Sequence, residues 1–340
     1  MELQAEIRKV QITGGSTYVV SLPKKWIETV NLKPKDQIAL VPQPDMSLLL
    51  IPRNELRLKE VKESLFDASQ IGRPEAIVTE FIAHYLVGYD IIRVKLRDAK
   101  IRSFLRNAIH QKLIGTEIIE ETENEITAQC LLGSVDLPLD RALRRMHILT
   151  VFMLRDTIKA LSTNDKELAK EIIFRDDEVD RLYLFIVRQL KATVENRLLV
   201  EEIGLTHPRD CLGYRLIVKS IERSADHAAR IAKISSTLET PLEEKTIESL
   251  ASMSRIAAEI QEASVKTLYK YDAQLAHETI VKIKDVANLE EEIIGKLLKL
   301  KTNTKTIIDI RLILESIRRI AEYGTDISEI AINLHVKTPS

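Results

Sequence analysis

The chain has 340 residues, of which 45% are hydrophobic and 30% are charged, so it is long enough for two or three domains and too apolar to be disordered. With 50 basic and 51 acidic side chains, the formal net charge of −1 excludes a whole-chain polybasic surface for nucleic acid or membranes. The longest stretch without a charged residue, 10–23, has 14 residues and is too short to span a bilayer, so no membrane insertion is expected. The first residues show no signal-peptide or transit-peptide pattern, and we expect a cytoplasmic protein.

The first 53 residues contain five of the ten prolines and are predicted to be β-rich. β-branched and aromatic residues on both sides of 13–16 predict a strand, a turn and a second strand. A short helix is predicted to follow Pro23 and to end at Asn31, with two more strands over 37–41 and 47–51. Because a unit of about fifty residues buries little apolar surface, we expect this segment to form a homodimer.

The motifs Arg-Lys-Val-Gln-Ile-Thr-Gly-Gly-Ser at 8–16 and Val-Ser-Leu-Pro-Lys-Lys-Trp at 20–26 closely resemble the AbrB-type (SpoVT-AbrB, swapped-hairpin) DNA-binding domain. The resemblance covers residues 5–53 and implies a β-rich swapped-hairpin dimer over 1–53. One departure is Lys35, which stands where the family usually has a glycine before the aspartate.

Basic side chains are concentrated in this segment, where seven basic residues against five acidic ones leave a charge of +2, while the remaining 287 residues carry −3. Two pairs, Arg8-Lys9 and Lys24-Lys25, flank the same hairpin, and the AbrB resemblance implies that these positions face a DNA duplex. Arg8 is the best candidate for reading a base, because its planar guanidinium can pair with guanine. The alternative that these cations only increase solubility stays open, and Tyr18 and Trp26 are expected to lie in the domain interior.

Residues 54–135 are predicted to form a small α/β domain. Its elements are expected to be a helix with apolar residues from 77 to 86, a strand over 90–96, a helix over 101–109, and strands over 116–121 and 125–132. Residues 56–65 are ambiguous between strand and helix, and packing or dimerisation is the expected role of Gly88-Tyr89-Asp90.

Residues 136–340 contain few helix breakers and an internal repeat. Residues 157–161 match residues 264–268 at an offset of 107, and later positions such as Ile217 and Ile313 match at an offset of 96. The two copies are expected at about 136–239 and 240–336. Breaks that divide the region into six helices, three in each copy, are predicted near 162–164, 206–208, 240–241, 271–272 and 301–305. The C-terminal part is therefore predicted to be two tandem three-helix bundles.

Two carboxylates lie one turn apart on the third helix of the first copy, Glu222 and Asp226, where like charges repel by about a few tenths of a kcal/mol. A surface pair with Arg230 is one interpretation, and spacing alone favours it. The other interpretation is that carboxylates from several helices converge on a hard metal ion.

The segment Glu-Arg-x-x-Asp-His-Ala at 222–228 resembles the signature of the PhoU family, whose two tandem three-helix repeats carry Glu-x-x-x-Asp on their third helices. The acidic run that contains Asp176 and Asp180 resembles the start of the second helix in that family. The resemblance implies a divalent or iron-type metal ion at an acidic cluster formed by Glu222, Asp226, Asp176 and Asp180. Because the second copy has Arg318 where the motif needs its first carboxylate, at most one site is expected.

No enzyme is expected, since the sequence contains no Gly-rich phosphate loop, nucleophile elbow or zinc-protease helix. The combined resemblance is to AbrB–PhoU fusions known mainly from archaea. It implies a transcription regulator that binds DNA as a dimer and senses phosphate status through a metal, phosphate, a phosphate transporter's ATPase or a phosphate-sensing kinase. Two alternatives stay open: an adaptor that negatively regulates a phosphate transporter, with the front domain only dimerising, and a toxin-neutralising module.

Overall fold

The computed structural model describes residues 5–42, 46–52, 61–133, 136–299 and 303–336, and its contacts divide the chain into two units. The first unit is Met1–Val61 and the second is Lys62–Ser340. The second unit therefore contains both the predicted α/β segment and the predicted helical repeats.

The first unit consists of two antiparallel hairpins and a short helix. Its elements are β1 (Gln11–Thr13), β2 (Thr17–Val19), α1 (Lys24–Thr29), β3 (Ile38–Pro42) and β4 (Leu48–Pro52). Ile12 lies opposite Tyr18 in the first hairpin, and Leu40 lies opposite Leu50 in the second. The predicted order of strand, turn, strand, helix and two strands is confirmed.

The apolar side chains of this unit lie largely on its surface. Within its described residues only Pro52 is buried, while Ile7 is 97% and Tyr18 is 73% exposed. The prediction that Tyr18 lies in an interior is wrong for the single chain. The hairpin of β1 and β2 has only three residues in each strand, and no second layer of the same hairpin covers Tyr18. The first unit thus leaves its apolar surface uncovered.

The second unit begins with a four-stranded sheet that two helices cover. Its elements are β5 (Glu63–Asp67), α2 (Pro74–Val87), β6 (Ile91–Lys95), α3 (Ala99–Lys112), β7 (Thr116–Glu121) and β8 (Glu125–Cys130). The strand order is β5-β6-β8-β7, with β5 parallel to β6 and the other pairs antiparallel. The core between sheet and helices includes Phe81, Ile92, Leu105 and Ile126, each at most 1% exposed.

This confirms the predicted small α/β fold. Of the ambiguous stretch 56–65, residues 63–65 belong to β5, and 56–60 lie outside the described residues. The segment after α2 has a packing role, because Asp90 pairs with Arg188 of the helical region at 3.6 Å and the same guanidinium lies 4.8 Å from the Tyr85 ring centre.

The rest of the unit is helical and repeats itself. The first repeat contains α4 (Leu139–Thr163), α5 (Lys166–Glu195), the short α6 (Leu199–Glu202) and α7 (Asp210–Thr237). The second contains α8 (Glu244–Tyr269), α9 (Ala273–Val281), α10 (Ile283–Leu297) and α11 (Thr304–His335). The ends of α4, α7 and α8 and the starts of α5, α7, α8, α9 and α11 agree with the predicted breaks, but α5 ends at Glu195, well before the break predicted at 206–208. The short α6 and the interruption of the second repeat's middle helix at Lys282 were not predicted.

The two repeats share one core, and a polar contact joins them inside it. Met146 and Met253, equivalent at the offset of 107, are both fully buried. Gln261 donates to the carbonyl of Ile320 at 2.6 Å and to the Ser224 hydroxyl at 3.0 Å, and the His147 ring lies 3.1 Å from the Gln261 carbonyl. These hydrogen bonds fix the register of α4, α7, α8 and α11. Within the described ranges, no helix combines the length and apolar content needed to cross a bilayer.

Candidate metal centre

Four carboxylates from two neighbouring helices face each other in the first repeat. Asp176 and Asp180 lie one turn apart on α5, and Glu222 and Asp226 lie one turn apart on α7, which packs against α5. One carboxylate oxygen each from Asp180, Glu222 and Asp226 lies within 4.8 Å of the other two. We call these four residues the acidic cluster.

The acidic cluster is partly withdrawn from water and incompletely satisfied. Glu222 is only 8% exposed; one of its carboxylate oxygens accepts from Lys219, while the other is buried without a hydrogen-bond partner in the described part of the chain. One oxygen of Asp176 is also buried without a partner among those residues. Because an unpaired buried carboxylate oxygen is costly, these two atoms are acceptors that a cation or a hydrogen-bond donor could satisfy.

Burial and mutual repulsion raise the pKa values of the clustered aspartates. Burial, then the neighbouring Asp226 and Asp180, raises the pKa of Asp176 to about 7. The pKa of Asp226 is raised to about 6 by burial and by Glu222, and the pKa of Asp180 is raised for the same two reasons. Each shift has the sign expected where negative charges lie close together without full compensation.

Cations near the cluster come from two places that sequence reasoning missed. Lys219, one turn before Glu222, opposes the rise in pKa of Asp180 and Asp226, and its spacing on the helix was a usable signal. Lys112, at the end of α3, lowers the pKa of Asp180 from the α/β segment. Nothing in the sequence links Lys112 to this helix pair. Arg230, the surface partner considered for Asp226, instead lies 4.0 Å from Glu315 on α11.

The equivalent place in the second repeat is neutralised by arginines. At the offset of 96, Arg318 corresponds to Glu222 and Glu322 to Asp226, and Arg318 donates to Glu322 at 2.9 Å. At the offset of 107, Ala287 takes the place of Asp180. A carboxylate cluster is thus present in only one repeat of the described chain, as the sequence indicates.

The donor set suits a hard or borderline cation. Carboxylate oxygens are the ligands that Mg²⁺, Ca²⁺, Mn²⁺ and iron ions accept, and no cysteine or histidine joins them among the described residues. His227, the histidine next to the motif, lies with its ring centre 6.0 Å from that of Tyr323 on α11 and so belongs to a different face.

The cations expected to contact DNA all lie on the surface of the first unit. Arg8 and Lys9 precede β1, and Lys24 and Lys25 open α1; all four are exposed. Arg8 pairs with Glu6, and Lys24 lies 3.7 Å from Glu28 with 89% of its side chain exposed. These weak exposed pairs leave the cations available to another anion.

Comparison with known families gives one match for each unit. The model of the MazE antitoxin family (antidote-toxin recognition) matches residues 11–57, in the first unit. The PhoU domain model matches residues 143–235 and 250–331, which together make up just over half of the chain. The two PhoU matches coincide with the two helical repeats.

Similar proteins agree with the second match. A phosphate-specific transport system accessory protein PhoU homolog from Borreliella burgdorferi is 34% identical over 89 residues, 26% of this chain and 39% of that protein. A protein of the same description from Caulobacter vibrioides is 32% identical over 99 residues, which cover 28% of this chain and 39% of that protein. The chain therefore spans well under half of these relatives' length.

Solved structures share the helical fold. PhoU from Pseudomonas aeruginosa has a TM-score of 0.51 at 19% identity, covering 58% of this chain and 94% of that one. The phosphate transport system regulatory protein PhoU from Streptococcus pneumoniae has a TM-score of 0.50 at 20% identity, and the match covers 58% of this chain and 92% of that one. With two PhoU-domain matches over two structurally repeated bundles, the chain belongs to the PhoU family.

Proposed function

We propose that this protein is a phosphate-responsive transcription regulator whose first unit binds DNA as a dimer and whose acidic cluster holds a divalent or iron-type metal ion. The observation behind the sensory part is the convergence of Asp180, Glu222 and Asp226 within 4.8 Å inside a PhoU-family bundle. The relatives are named as accessory proteins of phosphate transport, which supports a regulatory role without catalysis.

The cluster supports metal binding because it combines a buried unpartnered oxygen on Glu222 with aspartates of raised pKa. A bound cation would supply the missing positive charge. Lys219, which now bonds Glu222, would then share that carboxylate with the metal. Loading of the site would therefore change the electrostatic balance between α5 and α7, as a signal requires.

Elemental analysis of the full chain, purified without a metal-chelating tag, tests this part. We expect the parent protein to retain metal and Glu222→Gln/Asp226→Asn to lose it. Glu244→Gln/Glu248→Gln is the matched control, because it removes two carboxylates one turn apart on α8, outside the cluster. Equal metal content in the parent and the cluster variant would reject the metal site.

The DNA-binding part is supported by the exposed cations and uncovered apolar surface of the first unit. A second copy would bury side chains such as Val10 and Ile12, which are 65% and 62% exposed. A dimer would also bring two sets of Arg8, Lys9, Lys24 and Lys25 to one duplex. If all eight cations met phosphates, the log–log salt slope of binding would approach about −7.

A gel-shift titration on the DNA upstream of the protein's own gene tests this part. Arg8→Ala/Lys9→Ala should weaken binding and make the salt slope shallower by up to about 4, since each dimer loses four contacts. Lys170→Ala/Lys296→Ala removes the same charge from helical surfaces and should bind like the parent. Sedimentation velocity should show a dimer.

A second candidate function is that of an adaptor that negatively regulates a phosphate transporter, with the first unit only dimerising. The relatives favour it, because they are named as accessory proteins of phosphate transport. In the gel-shift experiment, equally negligible binding by the parent and by Arg8→Ala/Lys9→Ala would select the adaptor over the DNA-binding regulator.

A further inference from the structure

The outward face of α4 has a regular line of exposed side chains, of which only Arg145 and Arg155 pair with neighbouring helices among the residues that the structure describes. They are spaced alternately four and three residues apart, and we call them the α4 stripe: Arg141, Arg145, Ile148, Phe152, Arg155 and Lys159. Ile148 is 51% and Phe152 is 52% exposed, so the middle of the stripe is apolar and its two ends are cationic. Phe174 on the neighbouring α5 is 75% exposed, and the Asp156–Arg175 ion pair puts it about one turn from Phe152 along the bundle.

The second repeat shows that the fold does not require these apolar side chains on the surface. At the offset of 107, α8 has the same buried residues, for example Leu250 for Leu143, both fully buried. Its outward positions are entirely polar: Glu248, Ser252, Arg255, Glu259, Glu262 and Lys266. Arg255 thus replaces Ile148, and Glu259 replaces Phe152. The exposed Ile148 and Phe152 are therefore specific to α4 and not a feature of the repeat.

The cations of the stripe are only partly neutralised. Arg155 pairs with Glu262 at 2.6 Å, and Arg145 pairs with Glu178. Arg141 and Lys159, at the two ends, have no carboxylate partner within the described ranges. The face thus offers an apolar centre between unpaired positive charges, and arginine beside aromatic side chains is the composition that interfaces favour.

The apolar centre and cationic ends of the α4 stripe favour one kind of binding partner. Because residues three and four apart share one face of a helix, a partner helix lying along α4 would contact the whole stripe in one seam, with Ile148 and Phe152 at its centre. Residues 141–159 span about 27 Å of helix, and the apolar centre consists of Ile148, Phe152 and the neighbouring Phe174, which is small for a membrane-binding face. We propose that the α4 stripe docks an acidic amphipathic helix of a partner protein. Its apolar residues would pack on Ile148 and Phe152, and carboxylates at its two ends would pair with Arg141 and Lys159.

Photo-crosslinking in the native host tests this directly, with p-benzoylphenylalanine in place of Phe152 in the full chain. The control has the same group in place of Glu259, the equivalent outward position on α8. We expect position 152 to crosslink to an acidic helical segment of another protein, mapped by mass spectrometry, and position 259 to crosslink far less. Crosslinks from 152 to a second copy of this chain, to its own first unit or to lipid would overturn the proposal, as would equal crosslinking at both positions.

A binding measurement with defined probes gives an independent readout. The probe is a fluorescent 21-residue helical peptide with leucines at its central seam positions and glutamates at the outer ones; the control peptide has lysines instead of glutamates. The parent protein should bind the acidic peptide at least tenfold more tightly than the basic one. Phe152→Ser should weaken binding about tenfold or more, while Arg255→Ser on α8 should leave it unchanged.

Two results of the probe experiments would overturn the proposal. One is equal affinity, or no affinity, for the two peptides. The other is flotation of the protein with phosphatidylglycerol vesicles that Phe152→Ser abolishes, because it would assign the stripe to a membrane surface. Both substitutions lie on exposed positions, where loss of fold is not expected. Neither experiment depends on the metal or DNA proposals.

Discussion

In the second repeat the Arg318 guanidinium lies 3.1 Å from a carboxylate oxygen of Glu290, and this ion pair takes the place that the acidic cluster has in the first repeat. Glu290 is only 3% exposed and also bonds Arg311 at 2.9 Å. The carboxylate of Glu290 is therefore neutralised by two arginines, whereas in the first repeat one oxygen each of Glu222 and Asp176 has no hydrogen-bond partner among the described residues.

Arg318→Ala should destabilise the helical unit by about 1–3 kcal/mol, because it leaves the buried Glu290 with one arginine instead of two. Urea denaturation followed by circular dichroism at 222 nm measures the change. Arg230→Ala is the control, since Arg230 and its partner Glu315 are both more than 40% exposed and should contribute less than about 0.5 kcal/mol. Equal losses in the two variants would contradict the assigned role of Glu290.

Asp176→Asn should make the metal-free protein more stable at pH 8. The folded protein holds a proton on Asp176 up to a pKa of about 7, while the unfolded chain releases it near 3.8, so this group's contribution to stability falls as the pH rises through that window. At pH 5 the folded protein keeps this proton while the unfolded chain has largely released it, so the difference between the variant and the parent should be smaller than at pH 8 but not zero. At pH 8 the variant should melt higher by roughly 2 °C, a shift damped by solvent because Asp176 is only partly buried.

The measurement is differential scanning calorimetry in chelator at pH 5 and pH 8. Burial lowers the pKa of His147 to about 4, so its contribution to stability changes with pH in the opposite direction. Both proteins contain His147, and its contribution therefore cancels in the difference between their melting temperatures. Glu248→Gln, on the exposed face of α8, should show no such pH dependence. An Asp176→Asn protein that melts below the parent at pH 8 would refute the electrostatic description of the cluster.

Helical periodicity was enough to predict most of the second unit. The interval of 107 residues between matching segments located both repeats, and the predicted breaks agree with the ends of α4 and α8. The spacing of Glu222 and Asp226 placed both on one helical face, and the resemblance to PhoU added Asp176 and Asp180 from a second helix. The structure brings Asp180, Glu222 and Asp226 within 4.8 Å of one another because α5 packs on α7, while Asp176 lies outside this group and is linked to it only electrostatically.

Contacts between unrelated segments were beyond this kind of reasoning. Lys112 reaches the electrostatic environment of Asp180 only because α3 packs on α5, and no pattern in either segment encodes that contact. Burial of Tyr18 was wrongly predicted, since alternation of residue types shows which side of a strand is apolar but not whether the same chain covers it. The α4 stripe required two aligned helices before Ile148 and Phe152 stood out.

Lys35→Gly should stabilise the first unit by about 1 kcal/mol. Residues 33–36 form a turn in which Asp36 N–H donates to the Lys33 carbonyl at 3.0 Å and Lys35 has φ of +82°, a left-handed conformation that favours glycine. This explains why the AbrB-type family usually has glycine there. The chain's single tryptophan, Trp26, lies in this unit, so its fluorescence during thermal denaturation reports this unit alone. Lys33→Gly, at a position without a positive φ, should destabilise the unit instead.

Two helical glycines should respond oppositely to alanine. At Gly295 on α10 an added Cβ meets nothing within 4 Å, so Gly295→Ala should stabilise the helical unit by about 0.5–1 kcal/mol through helix propensity.

At Gly324 on α11 an added Cβ would lie 2.7 Å from Ile260 Cγ2 and 3.3 Å from the Gln261 backbone nitrogen. Gly324→Ala should therefore cost about 1–3 kcal/mol, because α11 must move away from α8 where Gln261 joins the two repeats. Urea denaturation of both variants measures the two signs, and a Gly324→Ala protein as stable as Gly295→Ala would show that the contact between α8 and α11 is looser than the hydrogen bonds of Gln261 require.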